Sequence, residues 1–556
     1  MGVPEDVKRT SRHLRGPLAD QVGDGTDHFS GDAALLLKFH GIYQQDDRDR
    51  RRERTRSGEG PAYRFMVRAS VPGGALSAGQ WLAMDDLAGE VGGGALRVTT
   101  RQGVQWHGVG KGDLRPLLGA LHRHLVTTLG ACGDVVRNVA CCPAPLDDRR
   151  QDDLLALARR LAARFRPRTG AWFEVWVDGE RAVTAEAPAA EEPFYGDAYL
   201  PRKFKVGVAW PGDNCIDVYS QDVGLVPVDG GFVVLVGGGL GMSHAREEDT
   251  FPRLATPLGW CDGGAVEDVV EAVVAVHRDH GNREDRHRAR LKYVLAERGE
   301  AWFRRAVEER LPAGTALADA PPLPPWTGAD EHLGWHGQAD GRWFLGVHVD
   351  SGRVHGPVRD ALREAVTRYA PEVRLTPRQD VLLCGVAGRD RRAVEAVLRA
   401  HGVPLAEELP PVRRLAVACP ALPTCGQALA EAERVLPGVV EAVEAELAAA
   451  GEAGQAVRVH VTGCPNGCAR PYTAEIGVVG RTKTRYDVWV GGSTGGERLA
   501  RRLATGVPLA DLGPALRPVV ERWRDERQPG EGIGDFCHRA ALGEPLASAE
   551  RESVPA

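Results

Sequence analysis

Four cysteines form two close pairs, Cys419 with Cys425 and Cys464 with Cys468, and thiolates grouped in this way can bind iron. Prolines and glycines beside both pairs favour loops, so that backbone amides can turn toward the sulfurs. Thiolates are soft ligands for iron, and four cysteines are the usual complement of a [4Fe–4S] cluster. The sequence therefore predicts a cluster site on two loops, separated by an Ala/Glu/Leu-rich stretch that reads as a helix.

Two other kinds of cysteine site have to be weighed. Structural zinc sites usually place two to four residues between paired cysteines, whereas five residues lie between Cys419 and Cys425. Disulfides are disfavoured because the chain has an odd number of cysteines, eleven, and shows no secretory signal. The ferredoxin run C-x2-C-x2-C-x3-C-P is also absent. Spacing alone favours a cluster and leaves zinc as the alternative.

The segments ACPALPTCGQALAEAER and VTGCPNGCARPYTAEIGVVG resemble the cluster motifs of the sirohaem-dependent sulfite and nitrite reductases. The resemblance implies that the four cysteines hold a [4Fe–4S] cluster and that the Cys468 thiolate also ligates the iron of sirohaem. FHGIYQQDDRDRR at 39–51 is similar to the same segment of the haem-protein (beta) subunit of assimilatory sulfite reductases. That similarity implies an amino-terminal arm that wraps the body and helps to form the site.

Composition limits the function classes. A chain of 556 residues with 43% hydrophobic residues has room for three to four domains with cores of their own. A net charge of −6 argues against a nucleic-acid-binding protein. No apolar run long enough to span a membrane and no apolar signal core at the start are present. We expect a cytoplasmic protein with neither nucleic acid nor membrane as a partner.

An internal repeat indicates a duplicated fold. Residues 96–109, LRVTTRQGVQWHGV, match 373–386, VRLTPRQDVLLCGV, at half of the positions. Around the first copy the pattern predicts a strand from Tyr63, a helix at 77–90, a strand at 95–109 and a helix at 113–126. This β-α-β-α order is half of a ferredoxin-like sandwich, and it recurs over 343–400.

A larger α/β segment follows each copy, so we predict an internally duplicated α+β fold about a pseudo-twofold axis. A Pro-rich linker, LADAPPLPPWTG, separates the halves. The predicted parts are an arm (1–60), a ferredoxin-like half-domain (61–126), a sirohaem and substrate domain (127–328), a second half-domain (329–401) and a cluster domain (402–556).

The predicted strand at 95–109 carries a row of polar side chains. Because side chains alternate along a strand, these residues would all lie on one face. They are Arg97, Thr99, Arg101, Gln105 and His107. The resemblance assigns this face to the tetrapyrrole, whose eight carboxylates need fixed cations and amide donors, and it places Asn466 close by. In the second copy Gln105 and His107 become Leu382 and Cys384, so the polar surface is kept on one side only.

The resemblance also supplies four cations for a small oxyanion held at the sirohaem iron: Arg68, Arg137, Lys203 and Lys205. Lys203 and Lys205 alternate with Phe204, which predicts that both ammonium groups leave one strand on the same face. Only seven lysines occur in the chain. An ammonium with a lowered pKa could also donate protons to the leaving oxygens, whereas pairing with cofactor carboxylates is the alternative role.

Together these features predict an assimilatory sulfite reductase that reduces sulfite to sulfide by six electrons. Two alternatives remain: a nitrite reductase with the same cofactors, and an iron–sulfur electron-transfer or sensor protein without sirohaem, against which the four cations argue. No G-x-G-x-x-G follows a strand, so NADPH is not expected to bind this chain. A flavoprotein subunit or a ferredoxin is the expected electron donor.

Cys132 lies five residues before Arg137. Some ferredoxin-type members of the family resemble this chain here, and their cysteine is bonded to a tyrosine of the arm. The resemblance thereby suggests a bond between Cys132 and Tyr43, with a free buried thiol as the alternative.

Overall fold

The computed structural model of the chain describes residues 3–545 apart from 147, 170–175, 178–179, 182–191 and 327–330. Its strands are β1 (Ile42–Asp46), β2 (Tyr63–Ala69), β3 (Ala75–Ser77), β4 (Leu96–Val98), β5 (Val104–Val109), β6 (Ala140–Cys141), β7 (Trp176–Val177), β8 (Glu180–Arg181), β9 (Val206–Val208), β10 (Val223–Val228), β11 (Gly231–Val236), β12 (Thr256–Asp262), β13 (Gly334–Gly337), β14 (Trp343–Val347), β15 (Arg353–Val354), β16 (Glu372–Leu375), β17 (Val381–Val386), β18 (Val417–Ala418), β19 (Val459–Thr462), β20 (Ile476–Thr482), β21 (Arg485–Val490) and β22 (Arg501–Pro508). Its helices are α1 (Val3–Arg9), α2 (Leu18–Gln21), α3 (Gly31–Leu37), α4 (Arg51–Arg56), α5 (Ala78–Glu90), α6 (Leu114–Arg123), α7 (Asp148–Arg164), α8 (Val266–His280), α9 (Leu291–Arg298), α10 (Glu300–Glu308), α11 (Gly356–Arg368), α12 (Arg391–Ala400), α13 (Pro411–Leu415), α14 (Leu436–Ala449), α15 (Leu512–Glu526) and α16 (Ile533–Arg539).

The two ferredoxin-like halves exchange a strand. One sheet has the order β1-β2-β5-β4-β15 and the other β13-β14-β17-β16-β3. Arg353 of β15 pairs with Arg97 of β4, and Ser77 of β3 pairs with Glu372 of β16, so each half adds a short strand to the sheet of the other. This reciprocal exchange is the arrangement that a pseudo-twofold produces, and the predicted duplicated α+β fold is confirmed.

The predicted helices of both copies form. In the first copy Ser77 caps α5, since its hydroxyl accepts from the Gln80 backbone N–H while the Gln80 side chain accepts from the Ser77 N–H. This reciprocal capping box satisfies two amides that a helix start leaves unpaired.

The prediction of one continuous strand at 95–109 is wrong. The segment forms a hairpin in which Arg97 lies opposite Gln105, while Thr99 and Arg101 lie in the turn. The turn forms because the Thr99 hydroxyl accepts from the Gly103 N–H at 3.0 Å, a local bond that competes with a continued strand. The second copy turns in the same way, with Thr376 accepting from the Asp380 N–H at 3.0 Å.

The two turns also bind the halves together. Gln102 donates from Nε2 to the Leu375 carbonyl at 2.9 Å, and Gln379 donates from Nε2 to the Val98 carbonyl at 3.3 Å. Both glutamines are buried and adopt positive φ, 58° and 76°. Equivalent residues thus make equivalent bonds across the pseudo-twofold.

Two larger sheets follow the same plan, β6-β9-β10-β11-β12 and β18-β19-β20-β21-β22. In each, the first three strands are parallel and the last two pairings are antiparallel. Helices α14 and α15 cover the second sheet, and their Val439, Val443, Val520 and Trp523 are buried in its core. Helix α14 is the one predicted between the cysteine pairs.

The predicted Pro-rich linker is irregular over 317–326, and its last two residues lie outside the described part. Among the described residues, no helix combines the length and the apolar character needed to cross a bilayer.

Candidate redox-cofactor and anion site

The cysteine pairs lie on loops at the carboxyl ends of two neighbouring parallel strands. Cys419 follows β18, and Cys464 follows β19, where loops of adjacent strands meet and ligands usually bind in open α/β sheets. The Gly463 N–H donates to Cys419 Sγ at 3.3 Å, and Asn466 Nδ2 donates to Cys464 Sγ at 3.5 Å. Backbone and side-chain amides therefore turn toward the sulfurs, which is the environment that stabilises cluster thiolates.

The spacing of the four sulfurs does not suit a single ion. No three of these cysteines, all of them in the described part, have their sulfurs within 4.8 Å of one another. A tetrahedral zinc ion with Zn–S bonds of about 2.3 Å would hold its sulfurs about 3.8 Å apart. Burial, together with the nearby Cys468 thiolate, raises the pKa of Cys419 and of Cys464 to about 12. A strongly cationic group is needed to keep them as thiolates, and a cluster wider than one ion fits these donors.

Cys468 differs from the other three cysteines because it is exposed, whereas Cys419 and Cys464 are buried and Cys425 is half-buried. The Thr100 hydroxyl donates to the Cys468 carbonyl at 3.3 Å. The turn of the first half-domain therefore meets the loop of the last cluster cysteine. Cys468 is also close enough to Lys203 of the first half to interact with it electrostatically.

The glycine-rich loop 237–241 closes against the same cluster loop. Met242 N–H donates to the Pro465 carbonyl at 3.0 Å, and a Cβ on Gly241 would lie 3.3 Å from the Asn466 carbonyl oxygen. Lys292, which is buried, fixes this loop by donating to the carbonyls of Gly239 and Gly241 at 2.9 and 2.7 Å. The structure thus brings Asn466 beside the glycine loop. Lys292 was not predicted, and the scarcity of lysine was the only feature that could have indicated it.

The arm reaches the cysteine loops as well. Arg48 donates from Nη1 to the carbonyls of Ala428 and Cys425 at 2.6 and 3.1 Å. Asp49 forms an ion pair with Arg434 at 2.7 Å. The arm is therefore fastened to the loop that carries Cys425.

Half-buried cations of the first half gather near Cys468. Arg101 is held by the Gln221 side chain at 2.6 Å and by the Val206 carbonyl at 3.0 Å, and burial lowers its pKa to about 9. Burial, with Arg202 and Arg137 nearby, lowers the pKa of Lys203 to about 7.

Burial, with Arg290 and Lys203 nearby, lowers the pKa of Lys205 well below its usual value. Within the described part, neither lysine forms an ion pair with a carboxylate, and neither do Arg68 and Arg137. Cations that are partly withdrawn from water and lack a carboxylate partner are costly, so this group of residues fits a polyanionic ligand.

Arg68 and Arg137 are oriented by neutral groups. Arg68 donates from Nη1 to Cys132 Sγ at 2.9 Å, and Arg137 donates from Nε to the Gly133 carbonyl at 3.1 Å. The Gln105 side-chain amide lies between Arg68 and His107. With the amide oxygen oriented toward Arg68, it accepts from Arg68 Nε at 2.9 Å. The other end of the amide is 3.3 Å from His107 Nε2. Arg68, Gln105 and His107 are therefore contiguous.

The predicted polar face is not a single face. Arg97 forms an ion pair with Glu433 at 2.5 Å and donates to the Ser351 carbonyl at 3.2 Å, so it joins the hairpin to the cluster domain. Thr99 serves the turn through its bonds to Arg101 N and Gly103 N. Because the chain turns at these residues, the alternation predicted along a single strand does not hold.

Lys203 and Lys205 precede the regular strand, since β9 begins at Val206. Phe204 between them forms a bridge with Val136 and is fully buried, whereas both lysines are half-buried. Their extended backbone and this burial pattern agree with two ammonium groups on one side.

Asp222 and Asn138, which no sequence pattern indicated, complete the surroundings of these cations. Asp222 accepts from Arg290 and from the Lys205 backbone N–H, the latter at 2.9 Å. Asn138 donates to the Arg101 carbonyl at 2.7 Å and thereby holds the turn.

Tyr43 and Cys132 lie in hydrogen-bonding contact, and burial beside Cys132 raises the pKa of the Tyr43 hydroxyl. The structure thus brings together the two side chains whose bond the resemblance suggested.

The chain resembles known proteins over nearly its whole length. A family model described as the nitrite and sulphite reductase 4Fe-4S domain matches residues 156–314 and 412–552, and one described as the nitrite/sulfite reductase ferredoxin-like half domain matches 57–124 and 336–401. The chain is 42% identical to the sulfite reductase [ferredoxin] of Synechococcus elongatus, over 97% of this chain and 89% of that protein. It is 44% identical to the sulfite reductase [NADPH] hemoprotein beta-component of Myxococcus xanthus, over 96% of each chain. The structure of the Mycobacterium tuberculosis NirA protein superposes with a TM-score of 0.80 at 25% identity, covering 97% of this chain and 96% of that one.

Proposed function

Because the chain belongs to the nitrite and sulphite reductase family and is an oxidoreductase, we propose that it reduces sulfite to sulfide. One observation carries the proposal: the exposed cysteine of the four, Cys468, meets the Thr100 turn beside half-buried cations that form no ion pair with any carboxylate the structure describes. A cluster-only protein has no use for those cations. The names of the relatives at 42% and 44% identity support sulfite as the substrate.

The donor set fits both cofactors. Cys419, Cys425, Cys464 and Cys468 would hold a [4Fe–4S] cluster, with Cys468 also reaching the sirohaem iron. Arg101, Gln105 and His107 of the hairpin would bind the sirohaem carboxylates, and Asn466 would lie at the edge of the cofactor. Arg97 and Thr99 are already engaged, by Glu433 and by the turn, and would border the cofactor rather than pair with it. When bound, the two groups together supply an iron that takes the oxyanion and a store of electrons beside it.

The other steps belong to the protein. Arg68 and Arg137 bind the oxyanion through their guanidinium groups, and their neutral partners leave that charge available to the substrate. Lys203 can hold the oxyanion and also release a proton to a leaving oxygen, because burial and neighbouring arginines lower its pKa to about 7. Lys205 lies on the same side and adds a second donor.

The electron donor is proposed to be a separate protein. The two relatives point to different donors, since the name of one contains ferredoxin and the name of the other contains NADPH and a beta-component. We therefore propose a ferredoxin or a flavoprotein subunit as the partner. Rates measured with each reduced donor protein under the same conditions would identify it.

The test of the function is a purified protein assayed without oxygen under a chemical reductant. We expect iron, acid-labile sulfide and an extractable tetrapyrrole, together with sulfide formed from sulfite. A higher kcat/KM for nitrite than for sulfite would instead make it a nitrite reductase. Iron and labile sulfide without a tetrapyrrole would indicate an electron-transfer or sensor protein.

A further inference from the structure

The first half of the chain retains a counterpart of the cluster site. Cys142 and Pro143 follow strand β6, just as Cys419 and Pro420 follow strand β18. The two strands occupy the same edge position in their sheets. Cys142 is therefore the repeat partner of Cys419.

A second cysteine obeys the same repeat. Cys215 lies eight residues before the start of β10, and Cys468 lies eight residues before the start of β20. By the same count Asp213 stands where the second half has Asn466. Of the four cluster positions, the first half thus keeps two cysteines and adds a carboxylate beside them.

These side chains meet a histidine from the other half. Cys142, Asp213, Cys215 and His332 are all buried, and their donor atoms lie within 4.8 Å of one another. Cys142 Sγ is 3.6 Å from His332 Nε2 and 3.9 Å from Asp213 Oδ2, and His332 Nε2 is 3.3 Å from Asp213 Oδ2.

These separations match a tetrahedron around one small ion. With Zn–S of about 2.3 Å and Zn–N or Zn–O of about 2.0 Å, tetrahedral geometry places sulfur about 3.5 Å from nitrogen or oxygen and nitrogen about 3.3 Å from oxygen. The cluster cysteines are too far apart for such an ion, so the two sites differ in the size of the group they fit.

Surrounding groups orient the donors. The Cys215 N–H donates to Asp213 Oδ1 at 3.0 Å, which leaves Oδ2 turned toward Cys142 and His332. Gln151 donates from Nε2 to the Cys142 carbonyl at 2.7 Å. Hydrogen bonds of this kind fix the ligands of protein metal sites.

The space beyond the donors is filled. Leu382 and Cys384, the counterparts of Gln105 and His107, are fully buried and pack in one apolar cluster with Cys142, Cys215 and Phe344. Among the residues that the structure describes, this packing is apolar and leaves a tetrapyrrole neither room nor polar partners. The first-half counterpart of the cluster site therefore consists of four buried donor atoms, spaced to surround a single ion.

We propose that Cys142, Asp213, Cys215 and His332 bind one zinc ion that fastens the second half of the chain to the first. Two thiolates, an imidazole and a carboxylate in a tetrahedron are a donor set that zinc takes, and four protein ligands with no open position make the site structural. His332 lies just before β13, directly after the inter-domain linker. An ion here joins the start of the second half to the loop between β9 and β10.

The experiment measures zinc in the holoprotein, purified without chelators from a medium that contains zinc. We expect about one zinc per chain in addition to the iron. X-ray absorption at the zinc edge should show two sulfur neighbours at about 2.3 Å and two nitrogen or oxygen neighbours at about 2.0 Å.

The variants Cys215→Ser and His332→Gln should lower the zinc content while iron and acid-labile sulfide are kept. Cys384→Ser is the matched control, a buried thiol in the same apolar cluster whose sulfur is not among the four donors. It should keep its zinc. If the ligand variants do not fold, the absorption spectrum of the wild type decides alone.

Three results would overturn the proposal. The first is an iron-replete protein without zinc. The second is zinc surrounded by four sulfurs, which would place the ion at the cluster cysteines. The third is a disulfide between Cys142 and Cys215 in a peptide digest made under native redox conditions.

Discussion

Replacing Lys203 by arginine separates binding of the oxyanion from delivery of a proton to it. Both side chains are cations, but a guanidinium stays protonated at any working pH, whereas burial and nearby arginines lower the pKa of the Lys203 ammonium to about 7. If Lys203 is a general acid, Lys203→Arg should keep its cofactors and its sulfite binding. Turnover should fall by about 10²-fold or more, the usual loss when an acid is removed.

The pH dependence gives a second measure of the same change. A lysine with a lowered pKa is charged below that value and neutral above it, so the acid is lost as the pH rises. One unit above the pKa about a tenth of the enzyme still carries the proton, and the rate then falls about tenfold per unit. Sirohaem carboxylates and sulfite raise the pKa of Lys203, which moves this decline above pH 7 without changing its slope.

The assay is steady-state sulfite reduction with a chemical electron donor, from pH 6 to 9, on protein of known iron and tetrapyrrole content. Lys483→Arg, at an exposed lysine, is the matched control and should behave as wild type. The reasoning fails if Lys203→Arg keeps near-normal turnover with an unchanged pH profile. Lys203 would then only pair with cofactor carboxylates.

Three further outcomes are expected. Cys468→Ser should disturb the cluster and also the tetrapyrrole absorption band, whereas Cys464→Ser should act through the cluster alone; an unchanged band in Cys468→Ser protein would contradict the bridging role. A digest should contain a cross-linked peptide joining Tyr43 to Cys132 if the bond that the resemblance suggests has formed, and linear unmodified peptides would show the free buried thiol instead. Lys292→Met should lower the free energy of unfolding by about 2 kcal/mol or more, because it leaves buried carbonyls of the glycine loop without a donor; denaturant unfolding that matches wild type would contradict this.

The sequence predicted the duplication and the helices well, because a repeated segment and regularly spaced apolar residues can be recognised without knowing the tertiary contacts. It failed at 95–109, where alternation suggested one strand and the chain turns at Thr99. Alternation cannot reveal a turn that depends on a threonine hydroxyl bonded to a backbone amide four residues on. The second copy makes the same turn with Asp380 where the first has Gly103, so glycine was not its signal.

The residues of the cation site were predictable only where they belong to a motif of the family. Arg68, Arg137, Lys203 and Lys205 came from family resemblance, and no local pattern pointed to them. Lys292 binds three carbonyls of chain far from it in sequence, Gly239, Gly241 and Phe251. A side chain that donates to backbone carbonyls far away in the sequence produces no periodic pattern from which it could be predicted.

The two halves show how one scaffold supports two different sites. The reciprocal hydrogen bonds of Gln102 and Gln379 hold both hairpins in equivalent positions. The backbone therefore does not explain why only the first half has a polar site. The difference between the two sites comes from the side chains. Gln105 lies against Arg68 and keeps its side polar, whereas Leu382 is fully buried in an apolar cluster. Since burying an amide without a partner costs about 1–3 kcal/mol, each choice fits only its own side, and the difference between the copies follows from what each half has to hold.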